Sequence, residues 1–213
     1  MPTSSNQLPT ATRRVPGRTL LAVLAVLAVL GLVLSAVACG GSDVADSTAA
    51  DPGFQRMSAP TLTPGEPVPG PTDEVILSIS GAISTANVDG HLDFDMATLE
   101  SLGTVTYSVD DEQAEGRVVQ FEGVLLSDVL AVAGVSADAT TLVTTALNDY
   151  SIDIPLSDAS ASPVMIATRV DGERMPVDRF GPTRIVYPYS SHDLDPVVYD
   201  PRWIWQLASI VVR

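Results

Sequence analysis

An unbroken apolar run from Leu20 to Leu34 divides this chain of 213 residues and limits any globular fold to the residues that follow it. Arg13, Arg14 and Arg18 precede the run, and small residues follow it from Ser35. A basic flank, an apolar stretch and a small-residue exit are typical of an export signal. The sequence therefore predicts a signal peptide over residues 1–38.

The exit of the apolar run leaves more than one route open. The run resembles a bacterial lipoprotein signal, in which the only cysteine of the chain, Cys39, becomes the lipidated first residue. Ala36-Val37-Ala38 also fits ordinary secretory cleavage. Uncleaved, the 19 residues from Leu20 to Ala38 would form roughly 28 Å of helix, barely enough to span a bilayer. Arg13-Arg14 also resembles a twin-arginine signal. We favour lipidation at Cys39 and predict a cell-membrane lipoprotein on the extracytoplasmic face.

The stretch after the signal changes character at about residue 73. Residues 39–72 are rich in Pro, Gly, Ser and Thr and follow no strand or helix period. Because repeated proline removes backbone donors, this stretch is predicted to be a disordered tether that spaces the protein from the membrane. Residues 73–213 follow as one domain, long enough to bury a single core.

Strand patterns outnumber helical patterns in this domain. Asp95 is predicted to cap a short helix through Leu102, and Ser127 a second one through Ala133. Runs of β-branched and aromatic residues predict strands at 75–79, 104–109, 118–121, 141–145, 150–154, 164–169, 184–187 and 203–212. The pattern predicts a β-rich α+β fold with two or three short helices.

Charge and cysteine content exclude several kinds of chemistry. The residues after Ala38 hold eight arginines, no lysine and 26 acidic side chains. Such a surface repels phosphate backbones, which excludes a nucleic-acid partner. A single cysteine excludes an internal disulfide and an iron–sulfur cluster. Two acidic groups could supply oxygen ligands to calcium, Asp193 and Asp195 with Asp200, or Asp89 with Asp93 and Asp95. Neither matches the spacing of a known calcium loop, so no metal site is predicted.

Arginine and tryptophan provide the candidate binding groups. Two tryptophans, Trp203 and Trp205, lie at strand spacing, which predicts that they share a face and either stack on a planar ligand or pack in the sheet. Arginines recur at a spacing of five, at Arg169, Arg174, Arg179 and Arg184. In an acidic domain these side chains would either receive an anion or neutralise neighbouring carboxylates, and we favour the second interpretation.

Several segments together resemble a known family. The segment from Phe121 to Leu130, FEGVLLSDVL, resembles the "aromatic-x-G-V-x-L-x-D-L-L" segment of the oxidoreductase molybdopterin-binding domain of the sulfite-oxidase type. Further matching segments follow in the family's order at 146–150, 154–155, 164–167, 171–176, 181–188 and 203–210. The resemblance covers residues 75–213. It implies the mixed-sheet fold of that family and places the chain in a short, exported branch.

The same resemblance identifies a missing metal ligand. Active members hold molybdenum through a cysteine thiolate in the loop after the strand that is 104–109 here, and this chain has Asp110-Asp111-Glu112 at that place. Carboxylates cannot replace a soft thiolate without changing the chemistry of the metal. We therefore expect no cofactor and interpret the domain as a degenerate binding or interaction module. The alternative is a redox protein that still binds a molybdopterin or another anionic planar cofactor.

Any ligand is expected beside two segments of the domain. The resemblance places 148–150 and 181–188 next to the cofactor crevice, and an arginine fork with aromatic neighbours suits a planar anion. The predicted binding residues are Asn148, Asp149, Tyr150, Arg179, Arg184, Tyr187 and Trp205. In the competing interpretation, Arg184 pairs with Asp149 or Asp153 and only ties two strands together.

Overall fold

The computed structural model describes residues 52–110 and 116–213, which belong to one compact unit. The predicted signal peptide, Cys39 and residues 111–115 lie outside this range. The strands are β1 (Gln55–Arg56), β2 (Leu77–Gly81), β3 (Leu92–Phe94), β4 (Thr104–Asp110), β5 (Val118–Leu125), β6 (Thr141–Ala146), β7 (Ser151–Pro155), β8 (Met165–Val170), β9 (Glu173–Arg174), β10 (Arg184–Val186) and β11 (Leu207–Val212). The helices are α1 (Met96–Glu100), α2 (Leu126–Ala133), α3 (Asp158–Ala161) and α4 (Pro196–Tyr199).

The predicted β-rich α+β class is confirmed. The described residues hold four short α-helices rather than two or three, because α3 and α4 are only four residues long and too short to show a helical period. Asp95 caps α1 as predicted, since its side chain accepts a hydrogen bond from the Thr98 N–H. The helix α2 begins at Leu126, so Ser127 lies inside its first turn and is not its cap. None of the helices in the described ranges is long and apolar enough to cross a membrane.

Two sheets pack face to face around the main core. The first has the order β1-β4-β5-β8-β10, with β9 on β8, and all its pairs are antiparallel. The second has the order β3-β2-β11-β6-β7, in which only β2 and β11 run parallel. Side chains from both sheets and from α2 fill the space between them, among them Leu77, Phe94, Leu126, Ile166 and Ile210. The second sheet buries mainly this face, which accounts for the alternating burial along β2, β3 and β6.

The first sheet also buries its outer face. Alternate residues of β4, β5, β8 and β10 form a second apolar cluster, which includes Tyr107, Phe121 and Val186. Met175 belongs to the same cluster, and Trp203 and Phe54 pack against it. Segments that carry Phe54, Met175 and Trp203 therefore cover this face, and the segment with Trp203 also shapes the candidate site.

Residues 52–72 were predicted to be a disordered tether, whereas in the structure they pack against the domain. The strand β1 pairs with β4, and the N–H groups of Met57 and Thr61 donate to carbonyls of Thr104 and Ser101 at 2.8 and 2.7 Å. Val68 is buried in the main core. Proline content does not prevent this docking, because an unpaired sheet edge offers hydrogen bonds that local composition does not reveal. The domain thus includes residues 52–72 of the predicted tether, and residues 39–51 lie outside the described residues.

Candidate functional site

Three of the predicted binding residues line one crevice. Asn148, Tyr150 and Trp205 border a cavity of about 310 Å³ at one end of the second sheet. We call it the aromatic crevice, and its other lining residues are Ala146, Asp200, Pro201, Trp203, Ile204 and Gln206. The sequence interpretation missed Asp200, Pro201 and Gln206. The only feature of the sequence that could have identified them is their closeness to Trp203 and Trp205 along the chain.

One wall of the aromatic crevice is the turn between β6 and β7. Asp149 has a left-handed backbone (φ 65°), and the Tyr150 N–H donates to the Asn148 side-chain oxygen at 3.1 Å. This side-chain hydrogen bond favours a tight turn at an Asn. The Tyr150 hydroxyl donates to the Pro201 carbonyl at 3.3 Å, and the Leu147 N–H donates to the Gln206 carbonyl at 2.9 Å. The turn is therefore joined to the opposite wall at two points.

The opposite wall is the segment 200–206, which is held in place by a hydrogen bond to the buried Asp158. Arg202 donates to the buried Asp158 carboxylate at 2.7 Å, and the Tyr187 hydroxyl donates to the same oxygen at 2.9 Å. Burial, followed by the Asp158 carboxylate, raises the pKa of Tyr187. Tyr187 is fully buried in the main core, so its place is beneath the wall rather than in the crevice. Tyr187, a predicted binding residue, is therefore not among the residues that line the crevice.

The two tryptophans have different surroundings because the strand predicted at 203–212 begins only at Leu207. The Trp203 ring stacks on Tyr189, with centroids 5.5 Å apart and an interplanar angle of 12°. Trp205 packs against Phe180 at 4.6 Å and keeps 39% of its surface exposed. Trp203 is therefore held in place by its neighbours, whereas Trp205 offers accessible ring surface to the crevice.

A tyrosine and an aspartate fix the polar side of the crevice. The Tyr189 hydroxyl donates to Asp200 Oδ1 at 2.6 Å. Burial, followed by this contact with Asp200, raises the pKa of Tyr189, so the hydroxyl stays protonated and donating at neutral pH. The bond orients the carboxylate that lines the crevice.

Arg184 lies in an aromatic cage beside the crevice. The residue is only 3% exposed, and its guanidinium carbon lies 5.1, 5.5 and 5.3 Å from the ring centroids of Phe121, Phe180 and Trp203. Such positions over ring faces are attractive for a cation. Arg184 does not belong to the residues that line the crevice, and neither does the exposed Arg179. Arg184 therefore lies behind the crevice, where its backbone forms a β-bridge with Trp205, but its side chain does not line the crevice.

The other arginines of the spaced series neutralise a carboxylate. Arg169 and Arg174 both donate to Glu100 Oε1 at 2.6 Å, and Thr168 donates to the same oxygen at 2.7 Å. These contacts hold the pKa of Glu100 below its usual value against the opposing effect of burial. For this pair, the interpretation that arginines compensate neighbouring carboxylates agrees with the structure.

A second depression lies between α2 and α3. Its volume is about 750 Å³, and it is shallower and lined mainly by alanine and serine side chains. No aromatic or charged group borders it. The aromatic crevice is therefore the better candidate site of the described residues.

The residues present do not fit a molybdenum cofactor. No cysteine occurs after Cys39, so the described residues supply no thiolate, and they contain no cluster of three or more His, Cys, Asp or Glu side chains that could hold a metal ion. No lysine or arginine lines the aromatic crevice. A pterin cofactor carries phosphate, which needs cationic or N–H donors. Five of the described arginines are already paired with carboxylates, namely Arg56, Arg117, Arg169, Arg174 and Arg202.

Comparison with known proteins identifies the family. The model of the oxidoreductase molybdopterin binding domain matches residues 77–191, more than half of the chain. The chain belongs to this family. The resemblance found in the sequence is confirmed over that range, and the segment with Trp203 and Trp205 lies beyond it. No curated protein sequence matches the chain.

Among solved structures, this chain is similar to the sulfane dehydrogenase SoxCD from Paracoccus pantotrophus. The sequences are 19% identical, the TM-score is 0.49, and the match covers 64% of this chain. The matched part spans 37% of the length of the SoxCD chain.

Proposed function

We propose that this protein is an exported, lipid-anchored binding module that keeps the molybdopterin-domain fold without molybdenum chemistry. The observation that carries the proposal is the composition of the aromatic crevice, which is lined by rings, amides and one carboxylate and by no cation. The absence of any cysteine after Cys39 supports it, because the family's metal is held by a thiolate. The crevice then serves to bind a small molecule that the domain presents outside the cell.

Family membership favours one alternative, a redox protein that still binds a molybdopterin or another anionic planar cofactor. In that case, the cofactor would need cations that the crevice does not supply, and a metal ligand from outside the domain. Loss of a catalytic ligand within a retained fold is compatible with a change of role, since fold alone does not determine function.

Metal content separates the two functions. We expect the protein purified from its own host to contain less than about a tenth of an equivalent of molybdenum, because no thiolate is available. The measurement is elemental analysis together with the fluorescence of any pterin released on denaturation. Stoichiometric molybdenum with a pterin would establish the redox alternative.

The anchor has a separate test. We propose that Cys39 carries the lipid, because the only cysteine lies at the exit of the apolar run. Two or more acyl chains hold a protein firmly on a bilayer, whereas one gives marginal binding. Cys39→Ser should move the protein from the membrane fraction to the soluble fraction. Membrane retention of this variant, with the apolar run still attached by mass spectrometry, would contradict lipidation and indicate an uncleaved span.

A further inference from the structure

The charged groups exposed at the aromatic crevice are acidic and disfavour an anion, whereas the guanidinium group of Arg184, 5.3 Å from the Trp203 ring, is buried and does not line the crevice. Asp200 is the only charged side chain among the lining residues, and Tyr189 holds one of its two carboxylate oxygens. Asp149 adds a second exposed carboxylate in the turn that forms the opposite wall. Residues 52–213 contain eight arginines and 23 acidic side chains, so the field of the whole domain has the same sign.

The accessible aromatic rings of the crevice favour a cationic ligand. Tyr150 is 47% exposed and Trp205 is 39% exposed, so both present ring surface to the solvent. The faces of aromatic rings carry partial negative charge and attract cations, with tryptophan the best of them. The volume of about 310 Å³ is near the lower limit of ligand sites, which run from roughly 300 to 1,000 Å³.

We propose that the aromatic crevice binds a small organic cation with a methylated ammonium group, and so has the opposite charge preference from the cofactor of its family. The ammonium group lies against the rings of Tyr150 and Trp205, and the Asp200 carboxylate balances its charge. The Asn148 side-chain oxygen already accepts from Tyr150, and Gln206 Nε2 donates to the Val177 carbonyl at 2.6 Å, so Asn148 Nδ2 and Gln206 Oε1 are the amide atoms that face a polar end of the ligand. This inference rests on the proposed function, because in the redox alternative a molybdopterin would occupy the crevice in place of an organic cation.

The geometry of the walls supports a preformed site. The hydrogen bonds from Tyr150 to Pro201 and from Leu147 to Gln206 join the two walls before any ligand enters. Three residues next to the crevice, Asp149, Phe180 and Gln206, hold left-handed backbones (φ 65°, 70° and 52°) although none is glycine. Such conformations persist where the surrounding structure enforces them, and they concentrate at binding sites. Little ordering remains to be done when the ligand binds, which favours affinity.

The test compares choline with its uncharged isostere, 3,3-dimethylbutan-1-ol, by calorimetric titration of the purified chain at constant ionic strength. We expect choline to bind about tenfold more tightly, since the two differ in charge but not in shape. Asp200→Asn should weaken choline binding by roughly three- to fivefold and leave the isostere unchanged. Trp205→Leu should weaken it by about fivefold. Asp193→Asn, an exposed acid outside the lining, is the matched control and should bind as the wild type does.

The outcomes separate this inference from the proposed function. Equal affinity for choline and its isostere, or no binding of either to a molybdenum-free protein, would overturn the cation preference and leave the binding-module proposal in place. Tighter binding of pterin-6-carboxylate than of choline would also overturn it. Molybdenum and pterin in the protein from its own host would overturn the proposed function itself, whatever choline does. Melting temperatures of the variants, measured without ligand, establish that each one is folded.

Discussion

Replacement of Arg184 by alanine should destabilise the domain by about 3–5 kcal/mol, comparable to removal of a large core side chain. The side chain is buried, and its guanidinium group lies over three aromatic rings. Alanine would remove these contacts and leave a cavity beside Phe121. For a unit of this size, each kcal/mol corresponds to roughly 2–4 °C, so the melting temperature should fall by about 10 °C.

Two matched variants make the Arg184 result interpretable. Arg184→Met keeps an unbranched apolar side chain in place of the arginine stem but is shorter and lacks the cation, so it should recover about half of the loss. Arg179→Ala removes an exposed arginine five residues away and should change the free energy of unfolding by less than about 0.5 kcal/mol. Urea denaturation measures all three. Unchanged stability of Arg184→Ala would contradict a scaffold role and return this residue to the list of ligand contacts.

The expected size of this effect comes from the structure, because the sequence left two roles open for Arg184. A basic residue at the start of a strand in an acidic domain is compatible with a ligand contact or an ion pair. Its burial among Phe121, Phe180 and Trp203 depends on three separate segments of the chain. No local pattern contains that information, since only Phe180 is close to Arg184 in sequence, whereas Phe121 and Trp203 are far from it.

Other parts of the fold were accessible from local pattern. The strand β6 is predicted correctly because it buries one face and therefore alternates with a period of two, whereas β4 is buried on both faces and is predicted from its run of β-branched and aromatic residues. Asp95 is found as a helix cap because its short carboxylate satisfies the free N–H groups of the first turn. Residues 52–72 were assigned wrongly for the opposite reason. Their pairing partner β4 is some fifty residues away, and their composition resembles that of a linker.

The candidate site was only partly predictable. Asn148 and Tyr150 were identified through family resemblance, and Trp205 as a flat side chain near them. Asp200 was considered only as part of an acidic stretch. Its position in the crevice follows from the Arg202–Asp158 ion pair beneath it, which fixes the segment 200–206. The charge of the crevice is therefore a tertiary property, although it determines which ligands can bind.

We propose that the domain keeps the fold of its family and has lost the ability to hold the family's cofactor. The most direct test adds molybdenum cofactor, released from a denatured molybdoenzyme, to the purified protein under anaerobic conditions. A cofactor-free enzyme of the same family serves as the positive acceptor, and gel filtration separates bound from free cofactor. We predict that the positive acceptor retains molybdenum and pterin and that this protein retains neither, because it offers no thiolate and no cation in the crevice. Retention of molybdenum and pterin at one equivalent would contradict the account.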